Sequence, residues 1–206
     1  MGVRPLPVIC PRPLAHEHIR TLTDADGHAL QFWRSHTMYQ LPCAASFEIR
    51  WEHIASQLVW QQPCVSDLCI ALASLHHAIT QSEDGPGLAQ HQLTQQNKSL
   101  KSMRRYICEL QNKSNATDED YVVVLLACLL SFVYDVFAGN DEQASYHLRT
   151  GLRMIHERCQ PTVRVRTPVE RHAVLVRPVP KSQFDVLVHT FIRLDSDITL
   201  TGHDDP

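Results

Sequence analysis

Apolar residues recur along this chain at three- and four-residue steps in six separate stretches, which is the spacing of one helix face. The first carries Phe47, Trp51, Ile54, Leu58 and Val59, with Pro63 marking a break behind it. A second stripe joins Val65, Leu68, Cys69, Leu72, Leu75, His76 and Ile79, and predicts an amphipathic helix ending before Gly85, Pro86 and Gly87. Leu93, Leu100, Met103, Ile107 and Leu110 then keep to one side of a long polar segment, so its burial is expected to be one-sided. Tyr121 to Tyr134 is apolar almost throughout and is bounded by Asp120 and Asp135. The fifth stripe is Ala144, Leu148, Gly151, Leu152 and Ile155, and the last runs from Phe184 to Leu200 through Leu187, Val188, Phe191, Ile192, Leu194 and Ile198.

The residues between these stretches say where the helices start and stop. Thr117-Asp118-Glu119-Asp120 has the pattern of a capping box directly ahead of the apolar run, which places a helix start there. Gly139 and Asn140 interrupt the helix, and Asn140 is positioned to cap the next one with Gln143 as its reciprocal partner. A glycine inside a helix costs about 1 kcal/mol relative to alanine, so Gly151 on an apolar face predicts a close helix contact. Residues up to about 27 hold Pro5, Pro7, Pro11 and Pro13 and read as an extended or mobile lead-in, with the domain boundary placed at residue 30. From 161 to 181 the helical stripe gives way to prolines, arginines and alternating valines, predicting a linker with room for a short hairpin. The fold class is therefore all-α: a bundle or solenoid-like array of antiparallel helix pairs over 31–160, closed by a C-terminal helix over 182–202.

Composition narrows the function classes. With 206 residues and 44% hydrophobic, the chain can bury one sizeable core. Nineteen basic against twenty-two acidic side chains give a net charge of −3, so no whole-chain field draws it to phosphate backbones and direct DNA binding is not expected. Prolines interrupt the first residues where an export signal needs an apolar run, which predicts an intracellular protein with its seven scattered cysteines reduced and mostly buried. The acceptor tripeptides starting at Asn97, Asn112 and Asn115 are then chance matches. The Tyr121–Tyr134 run is shorter than the roughly 20 residues a membrane crossing needs, and reads as a helix buried inside the bundle.

Candidate chemistry is weighed against plainer readings. Thirteen histidines include His16 with His18 and the adjacent pair His76 and His77, but neighbours on a helix point about 100° apart and do not readily share one metal. Cys64 and Cys69 have no second pair to complete a tetrahedral site, and read as small buried hydrophobes. His147 reads as a packed, hydrogen-bonded member of the core. There is no nucleophile elbow, GxGxxG or Walker loop. Lys98, Lys101, Arg104 and Arg105 form one basic face, and Arg149, Arg153 and Arg158 another, both expected to be solvated surfaces. No catalytic, cofactor-binding or metal residue is therefore assigned.

Five segments in order resemble a known family. They are FWRSHTMYQL (32–41), WEHIASQLVWQQPCVSDLCIALASLHHAI (51–79), LTQQNKSLKSMRRYI (93–107), VLLACLLSFVYDVFAGNDEQASYHLRTGLRMI (124–155) and FIRLDSDITLTG (191–202). Together they resemble the helical regulatory domain of fungal zinc-cluster transcription factors. The resemblance implies paired helices used for regulation, dimer contacts or response to small molecules, a nuclear location, and control of clustered metabolic genes, including secondary metabolism. Implied partners are a transcription factor, a coregulator or a second copy of the chain, with a small-molecule effector compatible and no membrane. The family's DNA-reading cluster needs six cysteines in a short stretch, whereas Cys10 and Cys43 stand alone in the amino-terminal part. That departure points to a truncated or stand-alone regulatory half, cytoplasmic if the resemblance fails. Two competing readings are a helical metabolite-binding or biosynthetic accessory protein on the same scaffold, and a fragment of a longer product.

Overall fold

The computed structural model describes residues 22–41, 51–81, 86–113, 115–159 and 179–201. Among these residues there are seven α-helices, one short 3-10 turn and no strand. The helices are α1 (Asp24–Ser35), α2 (Trp51–Leu58), α3 (Pro63–Gln81), α4 (Pro86–Gln111), α5 (Asp118–Phe137), α6 (Asp141–Arg158) and α7 (Gln183–Thr201), with the 3-10 turn at Thr37–Tyr39. The fold is all-α, as the periodicity predicts.

Two antiparallel pairs organise it. Lys98 near the middle of α4 reaches Asp67 near the start of α3, and the last turns of α4 lie beside Cys64, so the α3–α4 pair runs head to tail. In the second pair Arg158 at the end of α6 bonds Asp118 at the start of α5. The two pairs meet where α3 packs on α5, while α1 covers α3 and α7 lies across α5, α6 and α2. Both central helices are buried nearly all round: α5 hides every residue from Val122 to Asp135, and α3 every residue from Cys64 to Ala73. The single stripe expected on α3 is thus too narrow, because α4, α1 and α5 enclose it from three directions. Its far end is open, and Ile79 is exposed.

Several expectations need correction. Helix α1 begins at Asp24, so residues 24–30 belong to the folded domain and not to the lead-in. Its start is a capping box in which Thr23 Oγ1 accepts from the Asp26 N–H at 3.1 Å and the Asp26 carboxylate accepts from the Thr23 N–H at 3.2 Å. The same Thr-x-x-Asp pattern stands out at Thr117 because an apolar run follows it, whereas Gly27 and His28 follow Asp26. Helices α2 and α3 end ahead of Pro63 and of Gly85 as expected, but Pro63 and Pro86 also open the next helices, since a first-turn residue has no intrahelical partner for its N–H. Helix α4 is one-sided, but its inner face carries Gln95 and Ser99, and Leu93 is turned outward. At 20 residues α5 is long and apolar enough to cross a bilayer, contrary to the shorter apolar run, yet 83% of its apolar window is buried by the other helices. The predicted 161–181 linker, apart from its last residues, lies outside the described residues, as do Phe47 and the first 21 positions.

Gly151 behaves as expected: a Cβ built there puts three ring carbons of Phe191 at or within 3.0 Å. Phe191 is fully buried, so its ring sits in the notch that the glycine opens between α6 and α7.

Candidate functional site

Polar side chains inside the bundle gather at four places, and each lies at a helix junction. The first joins α1, α3 and α4. Lys98 Nζ stands 3.4 Å from both Asp26 carboxylate oxygens and 3.9 Å from Asp67 Oδ1. Both carboxylates are buried, whereas Lys98 is 39% exposed along its side chain. Burial pushes the Asp26 carboxyl upward, but the Thr23 N–H and the Lys98 ammonium outweigh it and hold the group below its usual range.

A second cluster surrounds Phe32 of α1. His36 stacks on its ring at 4.8 Å, His77 meets it edge-on at 4.8 Å, and His76 lies 5.6 Å away, tilted, with Phe137 of α5 beyond it. His76 Nδ1 is 3.1 Å from Thr37 Oγ1. Burial lowers the His76 pKa, and the neighbouring His36 and His77 lower it further, so the ring is held neutral. His76 and His77 approach Phe32 separately, in keeping with their divergence along the helix. His76 thus packs as a satisfied core residue.

The third place is a cleft of about 300 Å3 between the start of α3, the end of α4 and the start of α5. Asp120 anchors it: Tyr106 Oη donates to Oδ1 at 3.2 Å, Lys113 Nζ donates at 2.7 Å, and Thr117 N–H donates to Oδ2 at 3.0 Å. Burial alone would raise this carboxyl, but Lys113 and Thr117 bring it below its usual value. Cys64 lines the wall, and burial pushes its thiol up to about 11, so it is protonated at neutral pH and a poor nucleophile. Burial also raises the Cys69 thiol, and takes Cys128 up to about 12.

The fourth couples α5 to α6. Asp135 Oδ2 lies 3.5 Å from His147 Nε2, and its carboxyl is raised by burial against the pull of His147 and a hydrogen bond from the Asn140 side chain. The same burial lowers His147, with Asp135 opposing. Asn140 therefore does not cap α6 through its side chain, as its position suggested. Its amide serves Asp135 instead, and its N–H donates to the Asp135 carbonyl at 2.8 Å, fastening the turn that Gly139 makes at φ +71°.

Lys101, Arg104 and Arg105 stand exposed on the outer side of α4, and Arg105 is braced by Glu109 at 3.7 Å. Arg153 is braced by Glu157 in the same i,i+4 manner, and Arg158 is tied to Asp118 and lies over the Tyr121 ring. Among the described residues no group of three or more His, Cys, Asp or Glu side chains converges as a metal site requires. His16 and His18 lie outside the described residues. What the four clusters have in common is a contact between elements, Asp26 with Lys98, His76 with Thr37, Tyr106 with Asp120 and His147 with Asp135, which ties the packing together.

An apolar groove is the feature that periodicity did not disclose. Leu22, Gly27, Leu30, Gln31 and Arg34 of α1 and its approach line it, together with Ser35 and with Trp60 beyond the end of α2. Trp60 falls outside any helical stripe, and only the folding of α2 against the bundle brings it over α1.

The order of helices, the buried α5, the Gly139–Asn140 turn and the Gly151 notch now stand beside a direct comparison. A family model described as the fungal specific transcription factor domain matches residues 30–194, most of the chain. The chain belongs to the fungal specific transcription factor domain family. No curated protein and no solved structure matches it. Within this family domain, the matched span begins inside α1 and ends in α7, so every described helix contributes to it.

Proposed function

We propose that this chain works as the regulatory part of fungal transcription control, in the nucleus, through contacts with a transcription factor, a coregulator or a second copy of itself. The family match over residues 30–194 carries the reading. The interior supports it: buried polar groups tie helices together, and the side chains left exposed, such as Tyr39, Tyr146 and the cations of α4, are those suited to meeting another macromolecule. A domain of this kind acts without chemistry of its own, by presenting faces whose affinity for a partner changes with state. Its genes of action are proposed to be a metabolic cluster, including secondary metabolism.

The test is deletion of the gene with transcript profiling, alongside immunoprecipitation of the tagged full chain. Coordinated loss or gain of a clustered set of transcripts, with recovery of a transcription factor or coregulator, is the expected result. Unchanged transcripts with no such partner recovered would overturn the reading. Turnover of a pathway intermediate by the purified protein would replace it with the biosynthetic alternative.

A further inference from the structure

The groove over α1 has three properties that its packing does not account for. Its floor is Gly27, a glycine inside a helix where alanine would be favoured by about 1 kcal/mol. A Cβ built on Gly27 meets no atom within 4 Å, so no neighbour in the bundle requires the gap, in contrast with Gly151 and its Phe191 ring. Second, Trp60 is 56% exposed and Leu22 38%, two large apolar groups at the rim of one depression beside the buried Leu30. Third, Arg34 at the same rim makes no ion pair among the described residues, although aspartates occur elsewhere on α1. The depression is about 420 Å3, within the range of small-ligand sites.

We propose that this groove binds a small planar apolar anion of the aromatic-carboxylate class. The ring lies against the Trp60 indole and Leu22 over the open floor at Gly27, where a side chain would block it. The carboxylate meets the Arg34 guanidinium, with the Gln31 amide at the same edge. Ser35 Oγ is already committed, donating to the Gln31 carbonyl at 2.9 Å and lying 2.7 Å from His36 Nδ1. Ser35 thus joins the edge of the groove to His36, which stacks on Phe32 at the α1–α3 junction. The site deepens the regulatory reading by giving an effector a place to act, and rests on it for its biological meaning; binding itself is measured without reference to transcription.

The experiment uses the purified full chain with naphthoate as the probe and naphthalene methanol as its uncharged counterpart, followed by calorimetry and by NMR of backbone amides and indole N–H groups. Saturable naphthoate binding at about 0.1–1 mM is expected for a ligand of this size, with the Trp60 indole and Gly27 amide shifting most. Arg34→Gln should weaken naphthoate at least tenfold and leave the alcohol unchanged. Gly27→Leu should abolish binding of both while the melting temperature stays equal or rises, so loss of binding cannot be loss of fold. Equal naphthoate affinity in Gly27→Leu and the parent chain overturns the proposal. So does a concentration-dependent dimer that Trp60→Ser abolishes, without naphthoate binding, since the groove would then hold a second copy. A failure here with the clustered transcripts still responding to gene deletion leaves the regulatory reading standing.

Discussion

On one side of α3, helices α5, α6 and α7 meet through aliphatic side chains and a phenylalanine seated in a glycine notch; on the other, α1 and α4 are held by a shared lysine between two buried aspartates and by an inner face bearing Gln95 and Ser99. The two sides differ in what they lose when a contact is removed. Apolar packing fails locally and steeply, because an emptied notch is seldom refilled. A partly exposed ion pair weakens gradually with salt and acid, because water competes for both partners. The α1 side is thus suited to adjust, and the α5–α7 side to hold the frame on which it adjusts.

The sharpest way to break this contrast is at the Gly151–Phe191 notch. Phe191→Ala is expected to lower stability by about 3–5 kcal/mol in urea unfolding, the cost of emptying a fully buried aromatic site. Gly151→Ala should cost about 1–3 kcal/mol through overlap with the ring, despite its better helix propensity. In the double variant the added methyl meets no ring, and the two losses should fail to add by at least about 1 kcal/mol. Strict additivity would mean the notch is not a single contact.

On the polar side the largest effect is expected from Lys98→Met, which leaves Asp26 and Asp67 buried without their cation. Because Lys98 is more than a third exposed, the loss should be about 1–2 kcal/mol, below the 3–5 typical of a fully buried pair. Raising the salt concentration should shrink the difference from the parent chain, while leaving the Phe191→Ala loss unchanged. A salt-insensitive Lys98 effect would place both sides in the same class.

The apolar side was legible in the sequence and the polar side was not, for a physical reason. Burial of Leu148, Gly151, Ile155, Leu187 and Phe191 follows from one period and one anomalous glycine, so position along the helix is enough. Gln95 and Ser99 look like solvent-facing residues, and only the packing of α4 on α3 turns them inward while Leu93 faces out. The Asp26–Lys98 bridge spans 72 positions and has no local signature. The groove shares that fate: Gly27 and Trp60 are far apart in sequence, and neither lies on a stripe.

The histidines offer a finer comparison, one from each side. His76 and His147 both have folded-state pKa values below the ordinary 6.5, so the unfolded chain binds their protons more readily. Stability from each is therefore full well above pH 6.5 and falls as the pH drops below it. Burial is the main cause at both; at His76 the neighbouring His36 and His77 add to it, whereas at His147 Asp135 partly offsets it. The decline between pH 7 and pH 5 should be relieved more by His76→Gln than by His147→Gln in urea unfolding. The reverse order would show that Phe32 and its histidines are not the acid-sensitive junction.

The smallest expected effect has opposite signs on the two sides, which makes it the most discriminating. Asp26 has a folded-state pKa below its unfolded value, so its ionised form stabilises the fold above the ordinary carboxylate range, and this is lost as the pH falls through the folded value. Asp26→Asn should lower stability at pH 7 and matter less near pH 3. Asp135 is raised instead, so the native state holds its proton more tightly, and stability falls as pH rises from the unfolded to the folded value. Ionising Asp135 therefore costs more in the fold than in the unfolded chain, and asparagine keeps an acceptor for the Asn140 side chain without the charge. Asp135→Asn should therefore raise stability at pH 7 by up to about 1 kcal/mol. That gain should vanish in acid, where Asp135 of the parent chain is protonated in the folded and unfolded states alike. Thermal melts of the two variants at both pH values decide it, since a loss at pH 7 in both would mean that Asp135, like Asp26, stabilises the fold in its ionised form.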